Sequence, residues 1–271
     1  MINSEDIKVT QKVRHIVDNN VLQGAELVIK ERNTVLEIPV VRSFIEAIAS
    51  EEIGDDELVV ETNDYVLTKK SFLRLKPRTW FNDECINAYV ALVNRREKSR
   101  NKEDCFAFNT FFFTMLENMR KNGCYNFQKL IRIVDKKGVK LRNLKTILVP
   151  INVKDYHWLL LSCHLPTNTF FVLDSMGSSK EQAAGYVDIV RQFLQDYFHS
   201  TKSEVPSSSR KSLNWRRNLQ DNLNLWDVNV PKSLSQQVNG FDCGMHLCLN
   251  MEILSRELDE PDLSALSEHM D

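Results

Sequence analysis

TILVPINVKDYHWLLLSCHLPTNTFFVLDS, residues 146–175, holds the reading on which the fold turns. Three short apolar runs, TILVPINV (146–153), HWLLLSCHL (157–165) and TFFVLDS (169–175), are separated by turn-forming residues. Runs of this length, rich in β-branched and aromatic side chains and bounded by turns, are predicted to be strands, and PTN at 166–168 marks a hairpin between the last two. His157 then opens one strand of the hairpin and Asp174 closes the other. Antiparallel neighbours joined by a tight turn bring those two ends side by side.

Outward from this centre the period changes. Downstream, Val187, Val190, Phe193, Leu194 and Tyr197 recur at helical spacing within 179–199, and LWDVNV (225–230) is predicted to be a short strand. CGMHLCLNMEILSREL (243–258) is apolar almost all round at its start, as a buried helix is. A polar stretch at 203–212 is predicted to be a surface loop. Upstream, the strand-like YVL at 65–67 precedes Thr68, which can cap a short helix through Leu75. Asn82 or Asp83 can cap a second helix over roughly 84–97. CFAFNTFFFTMLENM (105–119) is predicted to be a largely buried helix. Residues 1–64 form an N-terminal extension, with helix-like stretches near 5–19 and 41–50 around the run VIKERNTVLEIPVV. Strands in the middle with helices before and after predict an α+β domain over 65–271.

Composition narrows the function classes. With 42% hydrophobic and 27% charged residues and a formal net charge of −2, the chain has no polyelectrolyte character that would suit nucleic acid. Its charge is uneven, acidic over 51–64 and basic over 120–145 with Asp135 the sole acid there, a pattern usual for solvated faces. The six cysteines show no C-x-x-C pair, so neither a zinc ribbon nor a disulfide framework is expected. A metal site through Cys243, His246 and Cys248 lacks a matching second ligand pair. The opening MINSEDIKVTQ is not a signal peptide, and no apolar run reaches the roughly 20 residues of a membrane helix. These features point to a reducing intracellular compartment, with no membrane insertion.

Four residues carry the chemistry together. Singly, a His beside an apolar run, an Asp ending a strand and a Cys opening an apolar helix are ordinary structural residues. Placed together, Asp174 can accept a hydrogen bond from the His157 ring and fix its tautomer. Cys243 stands at the expected N-terminus of a buried helix, where free amides and the helix dipole favour a thiolate, and a nearby imidazolium favours it further. Gly240 and Gly244 bracket it and permit close backbone approach. Gln237, six residues earlier on the loop QQVNGFD, can offer its amide to an oxyanion beside the Cys243 backbone N–H.

On WFNDECIN (80–87), FNTFFFTML (108–116), LVPINVKDYHW (148–158), VLDSMG (172–177) and QQVNGFDCGMHLC (236–248), the chain resembles the SUMO-specific, or ubiquitin-like, protease family of cysteine peptidases. The blocks come in the family's order, with 17 residues from His to Asp and six from Gln to Cys, and cover about 65–250. The resemblance implies a papain-like α+β fold, its central mixed sheet flanked by helices and its nucleophile at a helix N-terminus. It implies a triad of Cys243, His157 and Asp174 with Gln237 as oxyanion donor. It further implies that Trp80 and Trp158 clasp a Gly-Gly tail, and that Asp83 contacts a basic residue of the modifier, though Asp83 can equally be an N-cap. Only glycine lets an extended chain pass between two indole faces.

The function so implied is cleavage after the C-terminal Gly-Gly of SUMO, freeing it from lysines and maturing its precursor. It needs no metal or organic cofactor. The partners are SUMO or another ubiquitin-like protein and its lysine conjugates, met by a monomer in the nucleus or the cytoplasm. Alternatives are the neddylation modifier or ubiquitin as substrate, an acyltransferase using the same triad, or an inactive module that only binds a ubiquitin-like protein. The resemblance also implies one more helix beyond EHMD, where this sequence stops, and it leaves 1–64 unmatched.

Overall fold

The structure, a computed structural model, describes residues 8–9, 48–49, 53–62, 64–99, 104–201, 219–232 and 234–256. By packing it divides into two compact units, Met1–Ser99 and Arg100–Asp271, and the boundary expected at residue 65 falls inside the first. Most of the stretches expected as helices at 5–19 and 41–50, the run at 28–41 and the loop at 203–212 lie outside the described residues.

In the first unit, β1 (Lys8–Val9), β2 (Leu58–Glu61) and β3 (Val66–Thr68) form an antiparallel sheet in that order, so Lys8 and Val9 are strand rather than the helix expected there. The Thr68 side chain accepts from the Ser71 N–H at 3.3 Å and caps α1 (Lys69–Phe72), which runs on as a 3-10 turn, Leu73–Leu75. Next comes α2 (Asp83–Ser99), whose capping acceptor is Asn82: its Oδ1 receives the Cys85 N–H at 3.1 Å. Ile48, Ile53, Val59, Val60, Leu67 and Ala88 pack into a small core.

The second unit is built on a five-stranded mixed sheet, ordered β4 (Cys105–Ala107), β5 (Thr146–Val153), β6 (His157–His164), β7 (Thr169–Leu173) and β8 (Asp227–Asn229). The inner pairs β5–β6 and β6–β7 are antiparallel, and the outer pairs β4–β5 and β7–β8 are parallel. All eight residues of β6 are buried, which is why its sequence shows no polar alternation. Pro150 lies past the end of the β4 pairing, where β5 has a partner on one side only and the missing N–H is tolerated. Asn168 closes the β6–β7 turn at φ 52°, a conformation asparagine tolerates better than most residues.

Ile147, Val149, Ile151, Leu159, Leu161, Cys163, Phe170 and Val172 face α3 (Thr110–Lys121), α4 (Phe127–Lys137) and α5 (Lys180–Ser200) in one continuous core. A capping box starts α5: Ser179 Oγ accepts from Gln182 N–H at 3.2 Å, and Gln182 Oε1 accepts from Ser179 N–H at 2.9 Å. The final helix, α6 (Cys243–Ser255), packs on β6 and β5 over the opposite face, which carries Leu148, Leu160 and Leu173.

One expected element is corrected. CFAFNTFFFTMLENM is not a single helix: Cys105–Ala107 pairs with β5, and the helix begins only at Thr110. A short apolar run fits either period, and here the open edge of β5 decides it. Phe193 is fully buried against Phe108, Phe112, Phe127 and Tyr197, with ring centroids 5.2–6.3 Å away. Phe193→Ala is expected to destabilise the chain by about 3–5 kcal/mol through the cavity it leaves, read from the shift in denaturant midpoint.

Candidate active site

The strand register brings the first pair of site residues together. Leu160 stands opposite Leu173, so Asp174, the next residue after β7, has His157 as its diagonal neighbour on the same face of the sheet. The His157 Nε2 and Asp174 Oδ1 are 2.7 Å apart, and each residue keeps only 6% of its surface. Three donors converge on the carboxylate: the His157 ring and the Met176 N–H on Oδ1, the latter at 2.8 Å, and the Ser178 hydroxyl on Oδ2 at 2.6 Å. Burial by itself would raise the Asp174 pKa, but the hydrogen bonds from His157, Ser178 and Met176 outweigh it and hold the group below its ordinary value. The turn that carries Asp174 closes through Gly177 N–H on the Asp174 carbonyl at 3.1 Å, with Gly177 at φ 81°.

The candidate thiol comes from the other end of the chain. Cys243 is the first residue of α6, 3% exposed, and a free thiol like the other five cysteines. Burial alone would raise its pKa, but the His157 ring, the backbone amides of Trp158 and Gly244 and the imidazolium charge together lower it. The imidazole responds in the opposite sense. Desolvation pulls it down, while the Asp174 hydrogen bond and the Cys243 sulfur raise it to about 9. The His157 Nδ1 is buried and makes no hydrogen bond, so it is the ring nitrogen that remains free to engage the sulfur. A thiol pushed down and an imidazole pushed up are the shifts that favour a thiolate–imidazolium pair, and burial limits the water that would screen it.

Gln237 sits on the loop that leads into α6. Its N–H donates to the Ser175 carbonyl at 2.9 Å, its Oε1 accepts from the Ser175 hydroxyl at 2.7 Å, and its Nε2 donates to the Asn239 carbonyl at 2.6 Å. An amide nitrogen carries two hydrogens, so one remains for a ligand. Asn239 shapes the same loop: its Oδ1 accepts from the Phe241 and Asp242 N–H groups, both at 3.0 Å.

Cys243, His157, Asp174, Gln237 and Trp158 thus belong to the second unit, and Trp80 and Asp83 belong to the first. Trp158 is 5% exposed on β6 opposite Asn152, whereas Trp80 is 46% exposed, with its carbonyl accepting from Arg74 Nη1 at 3.0 Å. Asp83 opens α2 next to the residue that caps it. The supporting groups Ser175, Met176, Ser178, Asn239 and the Trp158 amide were not singled out from sequence. Only DSMG carried a signal for any of them, that of an Asp-led turn whose side chain bonds a backbone N–H two residues on.

Residues 79–271 match the Ulp1 protease family, C-terminal catalytic domain. Ubiquitin-like-specific protease 1A of Arabidopsis thaliana is 32% identical over 207 residues, covering 74% of this chain and 37% of the relative. Sentrin-specific protease 2 of Mus musculus is 32% identical over 204 residues, covering 74% of this chain and 30% of the relative. The chain therefore spans about a third of the length of these curated relatives. Among solved structures, SUMO protease Ulp1 with its catalytic cysteine oxidised to a sulfinic acid aligns at a TM-score of 0.59 and 21% identity, covering 82% of this chain and 87% of that one. The C-terminal Ulp1 protease domain in complex with Smt3, the yeast ortholog of SUMO, aligns at 0.59 and 23%, covering 82% and 86%. These neighbours establish the fold: a mixed sheet flanked by helices with Cys243 at a helix N-terminus.

The electrostatics have a measurable consequence. Alkylation of Cys243 by iodoacetamide, followed by mass spectrometry across a pH series, is expected to set in below the thiol's ordinary pKa of 9.0. Asp174→Asn removes the charge that supports the imidazolium, so the onset is expected to move to higher pH; an unmoved onset would contradict the linkage.

Proposed function

The chain belongs to the Ulp1 protease family, and on that footing we propose that it is a thiol isopeptidase and endopeptidase cleaving after the C-terminal Gly-Gly of SUMO. It releases the modifier from lysine side chains and trims its precursor. The observation that carries this reading is the buried imidazole at 2.7 Å from Asp174, with a thiol of lowered pKa beside it.

The Cys243 thiolate attacks the carbonyl carbon of the terminal glycine. Negative charge develops on the carbonyl oxygen, drawn to the free Gln237 amide hydrogen and the Cys243 backbone N–H. As the C–N bond breaks, the His157 imidazolium gives its proton to the leaving amine, leaving a thioester and a neutral ring. The ring then takes a proton from water, whose oxygen attacks the thioester. The products are the modifier's free carboxyl terminus, whose proton passes to solvent, and the restored ion pair.

Substrate choice follows from access. A sulfur in a residue only 3% exposed can be reached by a slender extended chain, and a Gly-Gly terminus is the slenderest available. The relatives named for specificity toward ubiquitin-like proteins and sentrin support that substrate class. Trp158 takes the role of an indole wall that excludes larger side chains at the last two positions.

Side-by-side incubation with electrophilic C-terminal derivatives of SUMO, the neddylation modifier and ubiquitin is expected to give an adduct with SUMO, on Cys243. An adduct with only one of the other two would reassign the modifier, and adducts with none would leave a binding module. Cys243→Ala is expected to abolish turnover while preserving binding, and Gln237→Ala to lower kcat about 100-fold. The value of kcat/KM is expected to rise as the thiolate forms and to fall as His157 loses its proton near about 9. Asp174→Asn is expected to shift that fall to lower pH and to cost up to about 10⁴-fold in kcat.

A further inference from the structure

The oxyanion donor sits on a loop that offers it little packing. Val238, the next residue, is 99% exposed, Gln236 before it is also exposed, and Gln237 itself is only half-buried. The terminal torsion of a glutamine is soft, so an unrestrained carboxamide would sweep through many orientations. Two contacts restrain this one. A main-chain carbonyl can only accept, so the Asn239 oxygen at 2.6 Å fixes the nitrogen end of the amide. The oxygen end must then face the Ser175 hydroxyl at 2.7 Å, and that hydroxyl must be the donor.

We propose that Ser175 is a positioning residue that holds the Gln237 carboxamide with its remaining N–H available to the oxyanion; the proposal rests on the thiol-protease reading above. Ser175 suits the task because it is itself immobile. It is 2% exposed, follows the triad carboxylate directly in the chain, and accepts the Gln237 N–H on its own carbonyl at 2.9 Å. Gln236 adds a longer contact from its Nε2 to the Asp174 carbonyl at 3.4 Å. The turn that aims the imidazole therefore also aims the oxyanion donor, so the two halves of the site keep one relative placement through the reaction. Without the hydroxyl, Oε1 loses its one side-chain donor among the described residues, and the amide is held from one end.

The test compares wild type, Ser175→Ala, Ser175→Thr, Gln237→Ala and the Ser175→Ala/Gln237→Ala double variant on SUMO carrying a fluorogenic amide on its terminal glycine. Ser175→Ala is expected to lower kcat about tenfold, part of the about 100-fold cost of losing an oxyanion donor, with KM within about twofold. Ser175→Thr keeps a hydroxyl and is expected to recover most of that loss. Iodoacetamide alkylation of Cys243 develops no oxyanion, so its pH profile in Ser175→Ala is expected to match wild type. In the Gln237→Ala background, Ser175→Ala is expected to cause no further loss. Should the alanine variant not fold, Ser175→Cys, of similar volume and a weak donor, is read by turnover in its place, with the same loss expected. Wild-type turnover in Ser175→Ala, a loss that persists in the Gln237→Ala background, or a displaced alkylation profile each overturns the proposal and leaves the protease reading standing. A wild-type chain that cleaves no modifier overturns the protease reading, and this proposal with it.

Discussion

A hydrogen bond of 2.7 Å between the His157 ring and the Asp174 carboxylate is the contact on which the site depends. Burial disfavours charge on both groups and on the neighbouring thiol. Without a carboxylate already held ionised by other donors, the imidazole would hold its proton less firmly and the thiol would ionise less readily. Asp174 is held in that state by the Met176 N–H and the Ser178 hydroxyl as well as by the ring. The order of dependence is therefore turn, carboxylate, imidazolium, thiolate, each favouring the charge of the next.

The sheet supplies the rigidity this chain of charges needs. β6 is buried along its whole length, paired with β5 from His157 and with β7 from Leu160, so His157 is held by the β5 ladder and by its hydrogen bond to Asp174 just past the end of β7. The opposite faces carry different loads. One packs against α3, α4 and α5 around the Phe108–Phe112–Phe193 cluster, and the other takes α6, whose first residue is Cys243. Cys243 is thereby anchored by the burial of an entire helix, which a loop alone could not provide.

How much of this could be read along the chain varied with the range of the interaction responsible. The strands at 146–153, 157–164 and 169–173 were legible because their apolar runs are short and their turns carry Lys-Asp, Pro and Asn. The Thr68 cap was equally local. Cys105–Ala107 was misread because an apolar triplet next to a helix takes its state from whichever edge pairs with it. α4 lay hidden in the basic stretch, although Asn126, which accepts from the Lys129 N–H, and Gly138 at φ 67° are ordinary start and stop signals.

The sequence by itself determined which groups are candidates for the site and their order, and the adjacency of His157 and Asp174, because a hairpin is a short-range object whose ends are set by its own turn. It also determined that Cys243 opens a buried helix, since a wholly apolar run after a polar loop has few other fates. Only the tertiary structure decided that the sulfur lies where the His157 ring and the Trp158 amide lower its pKa, and that Gln237 is held by Ser175, 62 residues earlier. Those contacts join segments with no common period, and they form because closing the core around β6 leaves the charged and polar groups one shared place in which to satisfy one another.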